Sequence, residues 1–321
     1  MKLPDQRNNN ILIYINGELL PREEAKISVF DSAVQGGDAV WEGLRVYKGR
    51  IAALNEHLIR LQNSAKTLAF SSVPSSDEIR KAIFLTLEAN GMWDETHIRL
   101  TLTRGEKVTS GMNPKLNQHG CTLIVLAEWK PPVYSNSGIR VITSSIRRNS
   151  PQHLDSKIHH NNLLNNILAV IEANFAKVES AIMLDVNGFI SETNDTNIFL
   201  VRDNKILTPT TDSCLPGLTR QMILEIASKE GISSHEKNLS NTDLYSAEEV
   251  FTSGTMGEIT PVLEADGRKI GDGNAGPITK RIQKLHSTYT YKNGEPVPFK
   301  KPKKRTGKMR LKKSTIKKLK S

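Results

Sequence analysis

Apolar and polar positions alternate through much of residues 11–54. ILIYING turns at Asn16-Gly17 and GLRVYKGRIAAL turns again at Lys48-Gly49, so this stretch is predicted to form strands joined by tight turns. The period changes at Glu56. Leu58, Leu61, Ala65 and Leu68 then recur at helical spacing, and a second helix is predicted over Ser76–Asn90, stopped by Gly91. HIRLTLTRG and CTLIVLAEW read as strands, and the proline-interrupted WKPPVYSNSG after them reads as a connector. Domain bounds follow: residues 1–130 form a first domain, 131–138 the connector and 139–290 a second domain.

The second half opens with the strand GIRVITSSI. In LDSKIHHNNLLNNILAVIEANFA, residues Leu164, Leu168, Ile171 and Phe175 share one helical face, which places Lys157 just ahead of a helix. AIMLDV and FISE flank Asn187-Gly188, a strong hairpin signal that sets Glu192 at a strand end, and TNIFLV follows as another strand. LPGLTRQMILEIASKEG is a predicted helix with Thr219 near its start and Gly231 past its end, and SGTMGEITPV is a glycine-interrupted loop. No internal repeat is visible.

Composition narrows the class. The chain of 321 residues is long enough for two cores of ordinary size. No window carries the roughly 18 apolar residues of a membrane span, and the polar start MKLPDQRNNN lacks a signal-peptide core, so a cytoplasmic protein is the expectation. Cys121 and Cys214 are too few for a disulfide framework and have no metal-ligand spacing. The net charge of +10 belongs to the C-terminus, because residues 300–321 hold twelve Lys or Arg and no acid, leaving 32 bases against 34 acids elsewhere. Residues 291–321 are therefore read as a basic tail, disordered by itself, with an import receptor, RNA or anionic lipid as candidate partners. The body has no composition suggesting a nucleic-acid groove.

Candidate chemistry begins with Lys157, an acid after a tight hairpin, and two loops rich in Gly and Thr, one of which opens a helix. Helix starts offer unpaired N–H groups and a positive dipole end to a phosphate monoester. By themselves these features are as consistent with a surface lysine and ordinary turns.

The ordered set VQGGDAVWEGLRVY, EHLIRL, LDSKIHHNN, DVNGFISETNDTNIF, LPGLTR and SGTMGEITPV, spread over residues 11–285, resembles the class IV (fold-type IV) pyridoxal-phosphate aminotransferases, and among them the branched-chain amino acid aminotransferases. The resemblance implies an α/β (α+β) fold of two α/β domains with pyridoxal 5′-phosphate in the cleft between them, and a homodimer. It also implies that Lys157 forms the Schiff base with the cofactor and shuttles a proton, a role helped by burial near cations. Glu192 corresponds to the acid on the pyridine nitrogen, which keeps the ring an electron sink. Arg60, Leu218, Thr219 and Thr255 correspond to phosphate ligands.

On the substrate side Arg99 and Trp41 match the branched-chain group, with Tyr134 and Met256 as further pocket residues. Gly36 stands where bacterial branched-chain enzymes have a tyrosine, and Asn162 replaces a second tyrosine at the cofactor. Arg104 is similar in place to an arginine of the D-amino acid aminotransferases that serves the substrate carboxylate. Transamination of branched-chain L-amino acids with 2-oxoglutarate is the reading these residues favour. Alternatives are a D-amino acid or amine transaminase, an aminodeoxychorismate lyase-type enzyme, and a catalytically silent binding protein of the same fold.

Overall fold

The computed structural model describes residues 5–302. Most of the basic tail, residues 303–321, lies outside the described residues, and so do the partners expected of it. The chain divides at Pro131 and Pro132, and the first unit takes the chain up again from Gly294 after the second unit, Pro132–Asn293, is complete.

In the first unit, β1 (Leu12–Ile15) and β2 (Glu18–Pro21) meet through Asn16 and Gly17, both at positive φ, as a two-residue hairpin turn requires. A short helix α1 (Ser32–Gly36) leads into the long strand β3 (Ala39–Tyr47) and its hairpin partner β4 (Arg50–Ile51). The helices α2 (Leu54–Thr67) and α3 (Ser76–Asn90) precede β5 (Thr96–Thr103) and β6 (Thr122–Trp129). The sheet is antiparallel, in the order Glu295–Pro296, β4, β3, β5, β6, β1, β2. Residues 294–296, assigned to the tail by sequence, thus close the first sheet.

Helix α3 starts on a capping box between Ser75 and Glu78 and stops at Gly91, left-handed at φ 68°. Leu58, Leu61 and Ala65 of α2 are fully buried, as their spacing predicts, and burying each leucine contributes about 1.5–3 kcal/mol. They lie against the face of β3 and β5 that carries Val40, Leu44, Ile98 and Leu100. The other face of the same strands carries Trp41, Gly43, Arg45, His97 and Arg99, because successive side chains of a strand point to opposite sides.

The second unit is built on a mixed sheet. Its elements are β7 (Ile139–Thr143), α4 (Leu164–Ala176), β8 (Ser180–Leu184), β9 (Ile190–Thr193), β10 (Asn197–Arg202) and β11 (Lys205–Thr208). They are followed by α5 (Leu218–Lys229), β12 (Ser234–Glu236), α6 (Asn241–Tyr245), β13 (Glu249–Gly254), β14 (Glu258–Ala265), β15 (Arg268–Lys269) and α7 (Pro277–Asn293). Strand order is β12, β11, β10, β13, β14, β7, β8, β9, with β15 on β14. The β7–β8 pair is parallel, so α4 serves as its crossover.

Two elements differ from the sequence expectation. The Asn187-Gly188 turn is wider than a two-residue hairpin: Asp185 accepts through Oδ1 from the N–H groups of Asn187 (2.8 Å) and Phe189 (2.9 Å), and the β8–β9 register shifts beside it. Helix α4 sits on the sheet through Ala169 and Ala173, packed against Ala181 and Met183, while Leu164, Ile167, Leu168, Ile171 and Phe175 face outward. Small residues let the helix approach β8 closely and leave the larger apolar stripe uncovered in the monomer. Among the described residues no helix is long and apolar enough to cross a membrane.

Candidate active site

In the second unit the predicted groups gather around one segment, Asp212 to Gly217. Lys157 stands in the turn-rich stretch before α4, where its backbone N–H donates to Asp155 Oδ1 at 3.0 Å. Its Nζ lies 3.3 Å from Asp155 Oδ1 and donates to the Asp212 carbonyl at 3.3 Å. Against the expectation of a buried lysine among cations, this side chain is 42% exposed and its neighbour is an acid. The exposure leaves the amine reachable by a small molecule.

Glu192, on the wholly buried strand β9, is 5% exposed. Its Oε1 accepts from Arg148 Nε at 2.6 Å and from the Leu215 N–H at 3.4 Å, and its Oε2 accepts from Asn197 Nδ2 at 3.3 Å. Burial pushes the carboxyl above its ordinary range, and the Arg148 guanidinium and Leu215 N–H pull against that rise. Arg148 is buried as well and is oriented by a second bond, from Nη1 to Asn165 Oδ1 at 3.1 Å.

The same segment leads into the start of α5. Asn197 Nδ2 donates to the Leu215 carbonyl at 2.9 Å, and Ser191 Oγ to the Ser213 carbonyl at 3.0 Å. Gly217 then occupies the N-cap, and no side chain caps the first turn, which holds Leu218 and the buried Thr219. A Cβ at Gly217 would stand 2.0 Å from Asn197 Oδ1, so only glycine lets the backbone pass this close. Uncapped N–H groups at the positive end of a helix of twelve residues suit a phosphate.

Thr255 and Met256 form the tight link between β13 and β14. Ser253, two residues before Thr255, pairs with Asn197, which sets this link at the start of β10. The Met256 carbonyl accepts from the Val133 N–H at 2.9 Å. Tyr134 is buried, and its hydroxyl donates to Asp195 at 2.8 Å; burial first, then the Asp195 charge, raises the phenol above its ordinary range. In this position Tyr134 braces the Asp195–Thr196 turn. Asn162 is exposed.

In the first unit Arg60 and His57, three apart on α2, both reach the fully buried Glu42 of β3. Arg60 donates through Nε to Oε1 at 2.8 Å and through Nη2 to Oε2 at 2.7 Å, a two-pronged geometry that fixes the guanidinium plane, and His57 Nδ1 lies 2.6 Å from Oε2. The Arg99 guanidinium stacks 3.4 Å above the Trp41 ring. Burial lowers its pKa to about 10, with Glu42 pulling the other way, so Arg99 remains a cation at neutral pH. Arg104 donates to both oxygens of Asp38 and to the carbonyls of Leu68 and Ala69. A Cβ on Gly36 would meet nothing within 4 Å.

Sequence reasoning missed Arg148, Asn165, Glu42 and His57. The i, i+3 spacing of His57 and Arg60 was a usable signal for one helix face. Nothing in the sequence marks Arg148 as the partner of Glu192.

Residues 39–265 match the family model described as Amino-transferase class IV. Branched-chain-amino-acid aminotransferase-like protein 2 of Arabidopsis thaliana is 58% identical over 297 residues, 92% of this chain and 53% of that protein. The chain thus spans about half the length of the plant relatives it matches. A crystal structure of the Escherichia coli branched-chain amino acid aminotransferase aligns with a TM-score of 0.84 at 35% identity, covering 89% of this chain and 96% of that one. The T.th. branched-chain amino acid aminotransferase complexed with N-(5′-phosphopyridoxyl)-L-glutamate aligns at 0.82 and 35%, covering 88% and 95%.

Proposed function

This chain belongs to the class IV aminotransferases, which depend on pyridoxal 5′-phosphate, and from that premise we propose that it transfers the amino group of branched-chain L-amino acids to 2-oxoglutarate. The observation that carries the reading is the convergence of Lys157, Glu192 and the uncapped start of α5 on the segment from Asp212 to Gly217.

These residues fit the cofactor. The N–H groups of Leu218 and Thr219, with the Thr219 and Thr255 hydroxyls, would hold the phosphate, and Glu192 would receive the pyridine N–H on Oε2, which also accepts the 3.3 Å bond from Asn197. Asn162 would donate to the ring hydroxyl through its amide. Lys157 would anchor the cofactor covalently through Nζ. When bound, the cofactor supplies an electron-accepting ring that acidifies the substrate Cα–H. A substrate amine taking the place of Lys157 on the cofactor would release Nζ, and the released amine would move the proton from the substrate Cα to the cofactor C4′ in one half-reaction and back in the other; the 42% exposure of this side chain leaves room for that exchange.

For the substrate, Trp41 offers an apolar wall and Arg99 a fixed cation for the second carboxylate of glutamate. Gly36 leaves open space at its own position. Arg104 is saturated by Asp38 and two carbonyls, so we assign it to the scaffold, which removes the feature that favoured a D-amino acid substrate. The test is the visible band of the holoenzyme under L-leucine and, separately, D-alanine. Loss of the band with L-leucine and its return with 2-oxoglutarate are expected; loss with D-alanine alone sinks the L-branched-chain assignment.

A homodimer is part of the proposal. Leu164 (67% exposed), Leu168 (48%) and Phe175 (84%) lie on one stripe of α4, and contiguous exposed apolar residues of this kind mark interaction surfaces. Phe175→Glu with Leu168→Glu is expected to convert a dimer to a monomer in light scattering after size exclusion; an unchanged mass would place the interface elsewhere.

A further inference from the structure

Where the second unit begins, β7 runs between β14 and β8, and a bulge separates Val262 from Glu264 in its pairing with β14. The bulge re-aims Leu263. A Cβ at Gly138, whose φ is 118°, would stand 2.5 Å from Leu263 Cγ, so the glycine lets this side chain lie across the entrance to β7. Leu263, Val133, Tyr134 and Ile139 give an apolar wall to a recess of about 340 Å³, and Arg140 and Glu179 add its charges. That volume is at the small end of the roughly 300–1,000 Å³ of ligand sites, which suits a single amino acid. Lys157, Glu192 and residues 212–217 do not line it.

The two charges form a pair that is left open. The Arg140 N–H donates to Glu179 Oε2 at 2.8 Å and the Glu179 N–H to the Arg140 carbonyl at 3.1 Å, so backbone bonds fix the two residues side by side. Their side chains are half-exposed and approach only to 3.6 Å, from Arg140 Nη2 to Glu179 Oε1, beyond hydrogen-bond length. Nη2 donates instead to the Lys177 carbonyl at 2.7 Å. Among the described residues, Arg140 Nε and Nη1 donate to nothing and Glu179 Oε1 accepts nothing. A cation with free donors, an anion with a free oxygen and an apolar wall complement a free α-amino acid: its carboxylate to Arg140, its ammonium to Glu179, its side chain onto Val133 and Leu263.

We infer that this recess is a second amino-acid site, which takes a free aliphatic α-amino acid by both of its main-chain charges. The site goes beyond the proposed transamination and does not depend on it. An acid that lacks the ammonium leaves Glu179 without a partner and is selected against. Two short bonds hold the mouth in place before any ligand arrives: the Val133 N–H donates to the Met256 carbonyl at 2.9 Å, and the Tyr134 hydroxyl to Asp195 at 2.8 Å. The same bonds join the recess to the link between β13 and β14 and to the turn that follows Glu192.

Photolabelling locates the ligand directly. Cofactor-loaded protein is irradiated with L-photo-leucine, a leucine analogue with a diazirine in its side chain, in the absence of any 2-oxo acid, and the labelled residues are mapped by mass spectrometry. Label is expected on residues 138–140 or on Leu263, displaced by L-leucine at least about tenfold more effectively than by 4-methylvalerate or N-acetyl-L-leucine, both of which lack the ammonium. At a subsaturating probe concentration, Arg140→Met and Glu179→Gln are each expected to lower this label by about tenfold. Both residues are exposed and their loose pair contributes little to the fold, and the glutamine keeps an acceptor for the Arg140 N–H. No label on these residues, label unchanged in either variant, or equal displacement by 4-methylvalerate overturns the inference. Label is read whether or not an amino group is transferred, so a protein labelled here that converts no branched-chain amino acid would refute the proposed function and leave the second site standing.

Discussion

Lys157→Ala is expected to lower transamination by about 10⁴-fold or more, since it removes both the covalent anchor and the group that moves the Cα proton. The fold should survive, because Lys157 is exposed and, among the described residues, its Nζ makes one ion pair and one bond to a backbone carbonyl. Reduction of the holoenzyme with borohydride, followed by peptide mapping, reads the anchor directly. Wild type should carry the phosphopyridoxyl mass on the peptide containing Lys157, and the variant should carry none. Labelling of a different lysine, or turnover retained in Lys157→Ala, would sink the assignment.

The second large effect concerns Arg148 and separates stability from chemistry. Arg148→Met leaves the Glu192 carboxylate buried without its cation, and breaking a buried pair this way costs about 3–5 kcal/mol. At about 2–4 °C per kcal/mol for a domain of this size, the melting temperature should fall by about 6–20 °C. Adding Glu192→Gln to Arg148→Met removes the unpaired charge, so most of the stability should return while turnover does not, because the amide lacks the charge that keeps the pyridine nitrogen protonated. A melting temperature for Arg148→Met no lower than that of the exposed Arg281→Met would mean that the pair does not hold the site together. Recovery of turnover in the double variant would remove Glu192 from its proposed place on the cofactor.

The two variants probe different kinds of order. Lys157 acts by where its amine can reach, so its loss is chemical. Arg148 acts through Glu192, and its distance of 2.6 Å in a buried setting is what makes the acid available as a charge. Neither effect follows from the residue type alone, since other arginines of this chain sit on the surface with partners of little consequence.

Local signals were legible wherever a single stretch of chain decides its own conformation. Asn16-Gly17 and Lys48-Gly49 take the positive φ values of their turns, and the capping box before α3 and Gly91 after it bound that helix. The periodicity of α2 buries Leu58, Leu61 and Ala65 as read. At Asn187-Gly188 the same kind of signal fell short, because the Asp185 carboxylate closes a wider loop than the dipeptide alone specifies. The apolar stripe of α4 also misleads if taken for a core face. Ala169 and Ala173, unremarkable in a hydrophobicity pattern, are what pack against β8.

The order of motifs along the chain determined the family, and with it the identity of Lys157, Glu192 and the α5 turn as the residues to examine, because each motif is a short stretch whose residues act together. What only the tertiary structure decided is who partners whom over long separations. Arg148 with Glu192, Glu42 with Arg60 and His57, and Gly217 against Asn197 all depend on strand register and helix placement. Such pairings arise from packing that brings distant segments within about 3 Å, and a one-dimensional pattern of residue types carries no term for that distance.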